Sequence, residues 1–322
     1  MGASGQELTR MLKEVGIKRG ECFLTNVFAL QPLNNDIENL AVTKKELPFD
    51  SPMPAIAQGK YLMPEYLPEI ARLKQELEIV RPNLVIALGN ISCWALLGTR
   101  GITKIRGVAA MSTLVPNLKV LPTYHPAYIL RQWQHRVIAL ADLLKAVNEA
   151  KSPFLSRPAR RILVDPTLAE IESWINQHCI NSVPPHLAVD IETYRRQIEM
   201  IGFAASPYDA MAVPFMTRSP SGKFLGNYWG NEEDEFKARQ LCQKLLLSSI
   251  PKVFQNGLYD MQYLLREAFK LSSVDEDTML LHHSMYPELQ KGLGFLGSLY
   301  TNEASWKLLG RQRADEPVKK DD

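Results

Sequence analysis

The sharpest limit on how these 322 residues can fold is a break in pattern at KSPFLSRPARR, residues 151–161. Two prolines, two serines and four basic residues stop a long helical pattern at about 129–149, and a new strand, RILV, begins on the far side. Such a stretch cannot lie inside a packed element, so it reads as a linker between two separately folded parts. The length allows two domains, each with its own core. Hydrophobic content of 46% and charged content of 22% are those of a globular chain. No stretch approaches the roughly 20 apolar residues that span a bilayer, so no membrane partner is expected. MGASGQELTRML lacks the basic start and apolar run of a secretory leader.

Cys22, Cys93, Cys179 and Cys242 lie far apart with no C-x-x-C pair, which fits reduced thiols in a cytosolic protein. Net charge is +2, divided unevenly: residues 1–151 carry +5 and residues 152–322 carry −3. A mildly basic front half is compatible with nucleic acid.

The two halves have different rhythms. In front, GQELTRMLKEVG reads as a helix closed by Gly16, CFLTNVF as a short strand, and residues 65–80 as a helix. LVIALG reads as a buried strand, ISCWALLG as a helix and KVLPTYHP as a strand ending in a turn. Apolar strands separated by helices predict parallel βαβ units. Behind the linker, a helix over 166–177 opens at Pro166 and puts Leu168, Ile171 and Ile175 on one face. HLAVDIET, EMIGFAA and AMAVPF then follow in quick succession as an antiparallel meander, with helices after it at about 232–248, 259–269, 276–285 and 292–300. That is an α+β arrangement.

Chemistry concentrates at Asp190-Ile191-Glu192-Thr193. Alternate strand residues share a face, so Asp190 and Glu192 project together while Val189 and Ile191 turn to the core. Paired carboxylates on a rigid strand suit hard divalent cations. Taken alone, D-x-E also describes a solvated strand edge. VFQNGLYDMQYLL sets Asn256 and Asp260 four apart where a strand gives way to a helix, on one helical face. Alone, these read as a cap and an early-helix charge. His282 and His283 are adjacent, face different ways and make a poor metal pair.

In combination the order is D-x-E, a hydrophobic meander, N-x-x-x-D some 64 residues beyond Glu192, DTMLLHH and a K-x-L-x-x-L helix. Over about residues 160–310 this resembles the proofreading 3′–5′ exonuclease of family A DNA polymerases, including those of bacteriophages. The resemblance implies an RNase H-like fold. In it Asp190, Glu192 and Asp260 hold two divalent ions, Mg²⁺ or Mn²⁺, with Asn256 as a supporting catalytic group. Two such metals activate water and relieve the leaving 3′-oxygen of charge. The family's fourth acid comes from a downstream Y-x-x-x-D or H-x-x-x-D element. No such spacing follows Tyr300, so that motif is expected beyond the chain's end, with Asp315, Asp321 and Asp322 left as default candidates.

The front half has its own order: TNVFALQP, NLVIALG, KIRGVAA, then VLPTYHPAYILRQ. Over about residues 1–150 it is similar to the uracil-DNA glycosylase superfamily, especially family 4. The resemblance makes Asn26 the reader of a flipped uracil and His125 the group that stabilises the departing base, with Tyr128-Ile129-Leu130 on the loop that enters DNA. The family's first strand and its catalytic loop have no counterpart after Met1. Leu30 stands where a cluster cysteine would follow the Asn strand, so no iron–sulfur cluster is expected.

The expected class is therefore α/β. Residues 1–150 would be an incomplete parallel-sheet α/β/α glycosylase-like domain, residues 151–161 a linker, and residues 162–322 an RNase H-like α+β exonuclease domain lacking its last acidic motif. Its partners would be DNA, at the 3′ end of a primer strand, and a polymerase domain or subunit, in the cytoplasm (the host's, for a phage gene). A catalytically silent DNA-binding module of a split polymerase and an active uracil-DNA glycosylase are the alternatives.

Overall fold

The computed structural model describes residues 2–219 and 222–303. Asp315, Asp321 and Asp322 lie outside them. The described residues form two compact units, one comprising those up to Ser156 together with residues 292–303, the other those within Arg157–Lys291. No helix among the described residues is long and apolar enough to cross a membrane.

In the front unit the strands Val85–Leu88 and Lys119–Thr123 run parallel, as the alternation of apolar runs and helices predicts, and Ala110–Met111 pairs antiparallel with the second of them. The helices Leu67–Val80 and Gly89–Leu97 cover the sheet with Leu73, Leu77, Cys93 and Trp94, all buried. CFLTNVF is not a strand. It joins no ladder among the described residues, and side chains of the helix Leu67–Val80 hold its backbone instead. Arg72 donates to the carbonyls of Asn26 at 2.8 Å and Val27 at 3.2 Å, and Glu69 accepts from Ala29 N–H at 2.7 Å. Those bonds meet polar needs that a ladder would otherwise meet.

The single helix expected over about 129–149 is two, Pro126–Arg131 and Arg136–Glu149. Gln132 leaves helical dihedrals between them, and the Arg136 guanidinium is drawn to Glu7 and Glu14 of the first helix, Ala3–Glu14.

A fully buried ion pair sits at the heart of this unit. Arg106 and Asp142 are both without solvent exposure and are joined by a two-point contact; Asp142 also accepts from Thr123 Oγ1 at 2.7 Å. The third partner comes from the far end of the chain. Arg106 donates to Ser298 Oγ at 3.0 Å, on the helix Leu293–Tyr300; the Ser298 carbonyl and that of Thr301, just past the helix end, accept from Lys145. Gly107, in left-handed backbone at φ 75°, lets this helix approach, because a Cβ there would stand 2.9 Å from the Ser298 carbonyl. Sequence pattern had grouped this K-x-L-x-x-L helix with the back half; it packs instead in the front unit.

The back unit is built on a six-stranded sheet in the order Val274–Asp277, Lys252–Phe254, Leu187–Tyr194, Gln197–Ala204, Asp209–Pro214, Arg161–Val164. Leu187–Tyr194, Gln197–Ala204 and Asp209–Pro214 form the expected antiparallel meander. Lys252–Phe254 joins Leu187–Tyr194 in parallel, and Val274–Asp277 extends the sheet beyond it. A three-strand meander extended on its first strand by two parallel strands is the RNase H-like order. The helix predicted over 166–177 starts later, at Leu168, because Thr167 rather than Pro166 opens it, and after Ile175 it runs on as a π-helical turn, Asn176–Ile180. The Thr167 hydroxyl accepts from Glu170 N–H, and Glu170 reaches back to Thr167 N–H at 2.8 Å, a capping box. Ile171, Trp174 and Ile175 pack on Val189, Ile201 and Val213 with Leu246 and Leu264. Each such buried side chain contributes ~1.5–3 kcal/mol, enough to hold the central strand rigid.

Candidate active site

The central strand Leu187–Tyr194 alternates as its sequence requires. Leu187, Val189 and Ile191 are buried, while Ala188, Asp190 and Glu192 point to the open face. The register shifts between Glu192 and Thr193, and such a bulge re-aims the side chains beside it.

Asp260 comes to this strand from the first turn of the helix Gly257–Arg266. It is a buried carboxylate, 4% exposed, and its Oδ1 accepts from Ile191 N–H at 3.0 Å, at the peptide that separates Asp190 from Glu192. Two features bring it there. Asn256 turns the chain in left-handed backbone, φ 61°. Gly257 then lies against Phe254 so closely that a Cβ would stand 2.8 Å from the ring's Cγ.

Burial pushes the Asp260 carboxyl up to about 6, with Asp190 and Asp277 nearby adding to the rise and the Ile191 N–H opposing it. Asp190 is raised in turn by desolvation and by Glu192. Among the described residues no Lys or Arg forms an ion pair with Asp190, Glu192, Asp260 or Asp277. Negative charge therefore accumulates at the carboxyl ends of the parallel strands with no side-chain cation to offset it. Open α/β sheets place their ligands at such ends.

Asp277 is a residue that sequence reasoning read only as a helix opener. It does cap the helix Thr278–Met285, accepting from Met279 and Leu280 N–H. It also accepts from Asn256 N–H at 3.1 Å and Gly257 N–H at 2.7 Å, so one carboxylate ties together the starts of two helices and fixes the turn that aims Asp260. The D-T pair signals the cap; nothing local signals the link made about twenty residues back. The Asn256 side chain is exposed and makes no capping bond. His282 is buried and His283 exposed.

The residues fit divalent cations in charge and donor type, since oxygen ligands without a counter-charge favour hard ions. Asp190, Glu192 and Asp260 are coupled in sequence, Asp260 to Asp190 and Asp190 to Glu192, rather than drawn into one tight trio. Among the described residues a tight trio occurs elsewhere: His186, Asp275 and Glu276 have ligand atoms within 4.8 Å of one another.

In the front unit, Asn26 is exposed and its carbonyl is taken by Arg72. His125 caps the helix Pro126–Arg131, its Nδ1 accepting from Ala127 N–H at 3.1 Å, and its Cβ lies against Gly89. Desolvation, with Arg131 nearby, holds its imidazole below the ordinary histidine value. No hydrogen bond joins Asn26 to His125. Cys22 is half-buried and Cys93 buried, with the Cys93 thiol pushed up to about 12 by burial.

Comparison with known proteins bears on both units. Residues 1–151 match the uracil DNA glycosylase superfamily. The type-4 uracil-DNA glycosylase of Thermotoga maritima is 29% identical over 155 residues, which is 47% of this chain and 68% of that protein. That of Pyrobaculum aerophilum is 30% identical over 41% of this chain and 59% of its own length. A DNA polymerase of Bacillus phage SP01 is 24% identical over 230 residues, 64% of this chain but 24% of the polymerase. Among solved structures, Escherichia coli RNase D, an exoribonuclease involved in structured RNA processing, overlaps 46% of this chain and 34% of its own at 14% identity and a TM-score of 0.28. An overlap that loose identifies nothing by itself. The chain thus carries a uracil DNA glycosylase superfamily domain at its amino-terminal end and has a phage DNA polymerase among its homologues.

Proposed function

We propose that the back unit is a metal-dependent 3′–5′ exonuclease for DNA, the editing part of a phage-type family A polymerase. One observation carries this reading: the buried Asp260 carboxylate is bound to the strand backbone between Asp190 and Glu192, and among the described residues no side-chain cation pairs with any of the three. The RNase H-like strand order and the polymerase homologue support it. Asp190, Glu192 and Asp260 would hold two Mg²⁺ or Mn²⁺ ions, which supply an activated water and charge relief at the leaving 3′-oxygen. The protein's own part is to keep the carboxylates in place through Ile191 N–H and the Asp277 link, and to exclude bulk water around Asp260.

The test is release of mononucleotides from the 3′ end of an oligonucleotide, by this chain and by an extended one to which a Y-x-x-x-D segment has been joined. Release in Mg²⁺ or Mn²⁺ that stops in EDTA and in Asp190→Ala is expected. It should also fall as pH drops through about 6, because a proton on Asp260 competes with the metal. If the extended chain releases nothing at pH 8, this reading fails, and DNA binding that survives Asp190→Ala would then favour a silent binding module.

A second reading, uracil excision by the front unit, draws on the superfamily match over residues 1–151 and on His125, poised neutral at a helix start. Cleavage of a uracil-containing oligonucleotide that is lost in His125→Ala is the expected result. No excision by the full chain would remove it.

A further inference from the structure

The connection between the two longest strands of the back unit is unusual in its residues. Tyr194 pairs with Gln197, leaving Arg195 and Arg196 as a two-residue hairpin loop. Both sit in left-handed backbone, at φ 48° and 66°. A tight hairpin with positive φ at both positions favours Asn-Gly, and each residue bearing a Cβ there costs roughly 1–2 kcal/mol. Two arginines are therefore the wrong residues for the turn alone, and such local cost is characteristically retained where function uses it.

The surroundings are those of a polyanion site. Arg195 lies over the Tyr194 ring at 5.3 Å, and Arg218 covers the same ring at 4.1 Å. Arg266, which ends the helix begun by Gly257, lies over Tyr263 at 4.5 Å; Tyr263 is 4.9 Å from Tyr259, whose hydroxyl is 2.7 Å from Thr193 Oγ1. Arg196 and Arg266 share a cleft of about 470 Å³ with Arg239, Glu235 and Glu267. Arg239 is neutralised by both glutamates. Among the described residues Arg195, Arg196 and Arg266 form no ion pair with a carboxylate, and all three are exposed.

The acidic and basic ends lie on the same two elements. Along the strand, Arg195 is three residues beyond Glu192, about 10 Å at about 3.3 Å per residue. Along the helix, Arg266 is six residues beyond Asp260, about 9 Å at 1.5 Å per residue. Tyr263 lies within the interval on the helix, and Tyr259, next to Asp260, reaches Thr193 between Glu192 and Arg195 on the strand side. About 10 Å corresponds to about three nucleotides of a stacked strand at about 3.4 Å each. Arginine forks suit phosphates, and aromatic rings accept stacked bases whatever their sequence.

Resting on the nuclease reading, we propose that the Arg195-Arg196 hairpin tip and Arg266 grip the backbone of a single DNA strand about three nucleotides to the 5′ side of the bond cut at Asp190 and Asp260, with Tyr259 and Tyr263 as the intervening base platform. The grip is independent of sequence, and it feeds the 3′ end to the acids as a single strand.

The decisive variant is Arg195→Asn with Arg196→Gly in the full chain. It gives the turn the residues its backbone prefers, so the thermal midpoint should hold or rise while the positive charge is lost. Binding of a fluorescein-labelled oligothymidylate is followed by anisotropy in EDTA, where nothing is hydrolysed. We expect Kd to weaken about tenfold at low salt and the slope of log K against log salt to shrink by about 1.4, at ~0.7 for each of two lost phosphate contacts. Arg266→Ala should shrink it by about 0.7. Unchanged Kd and slope in both variants, with the thermal midpoint held, would overturn the grip. Mononucleotide release by the extended chain reports separately: hydrolysis with unchanged slopes rejects the grip alone, and altered slopes without hydrolysis reject the nuclease reading instead.

Discussion

Asp260→Asn should make the protein more stable and the nuclease inactive in the same stroke. Asp260 is easier to protonate in the fold than in the unfolded chain, its pKa rising from 3.8 to about 6. Ionising it therefore costs folding free energy. The cost is absent below about pH 4, grows between about 4 and 6 and is complete above that. A rise of that size corresponds to about 3 kcal/mol. Asn keeps an oxygen for the Ile191 N–H but makes a weaker bond, which offsets roughly 1 kcal/mol. A net gain of about 2 kcal/mol should raise the thermal midpoint of the back unit by roughly 4–8 °C at pH 7.5 in EDTA, and the gain should vanish near pH 4. Calorimetry with added Mn²⁺ supplies the converse: the unmodified chain should be stabilised by the ion, the variant much less. If Asp260 is a metal ligand as proposed, worth several kcal/mol in the transition state, its loss should lower mononucleotide release about a thousandfold. A variant that is less stable than its parent at pH 7.5 would show that the buried carboxylate is compensated by something other than a bound cation.

Asp142→Ala should have the largest destabilising effect, and in the other unit. Removing this carboxylate leaves the Arg106 guanidinium fully buried and unpaired, and strands the Thr123 hydroxyl. Breaking one side of a buried pair costs about 3–5 kcal/mol, which should lower the front unit's thermal midpoint by on the order of 10 °C. Replacing both partners with apolar residues, Arg106→Met with Asp142→Leu, should recover most of the loss, because no uncompensated charge remains. If the double variant is as unstable as the single one, the pair's value lies in its link to Ser298 rather than in charge compensation.

What the sequence made visible was whatever depends on short-range periodicity. Alternation along HLAVDIET sorted Asp190 and Glu192 from Val189 and Ile191, and the four-residue step from Asn256 to Asp260 marked the strand-to-helix turn. The parallel strands of the front unit followed from apolar runs alternating with helices. What stayed hidden depends on distant partners. CFLTNVF has strand composition, yet a strand needs a neighbour, and Arg72 and Glu69 claim its backbone instead. Asp277 looks like an ordinary cap until the Asn256 and Gly257 amides arrive from another segment. Arg195 and Arg196 read as a polar turn, and only their backbone angles show that the turn would prefer other residues. The helix Leu293–Tyr300 has an apolar pattern that does not say which core it belongs to; Arg106 and Lys145 decide that.

The placement of that last helix sets an order of events during synthesis. Residues up to Ser156 leave the ribosome first, but the Ser298 hydroxyl that completes the Arg106 site is made only after all of Arg157–Lys291 has been synthesised. The nested segment, contiguous in the chain, can finish folding while its host is still waiting with a buried guanidinium short of one acceptor. Assembly should therefore run from the inside of the gene outward, and a chain released at residue 291 should carry a mature inner unit beside an outer one still open to proteases.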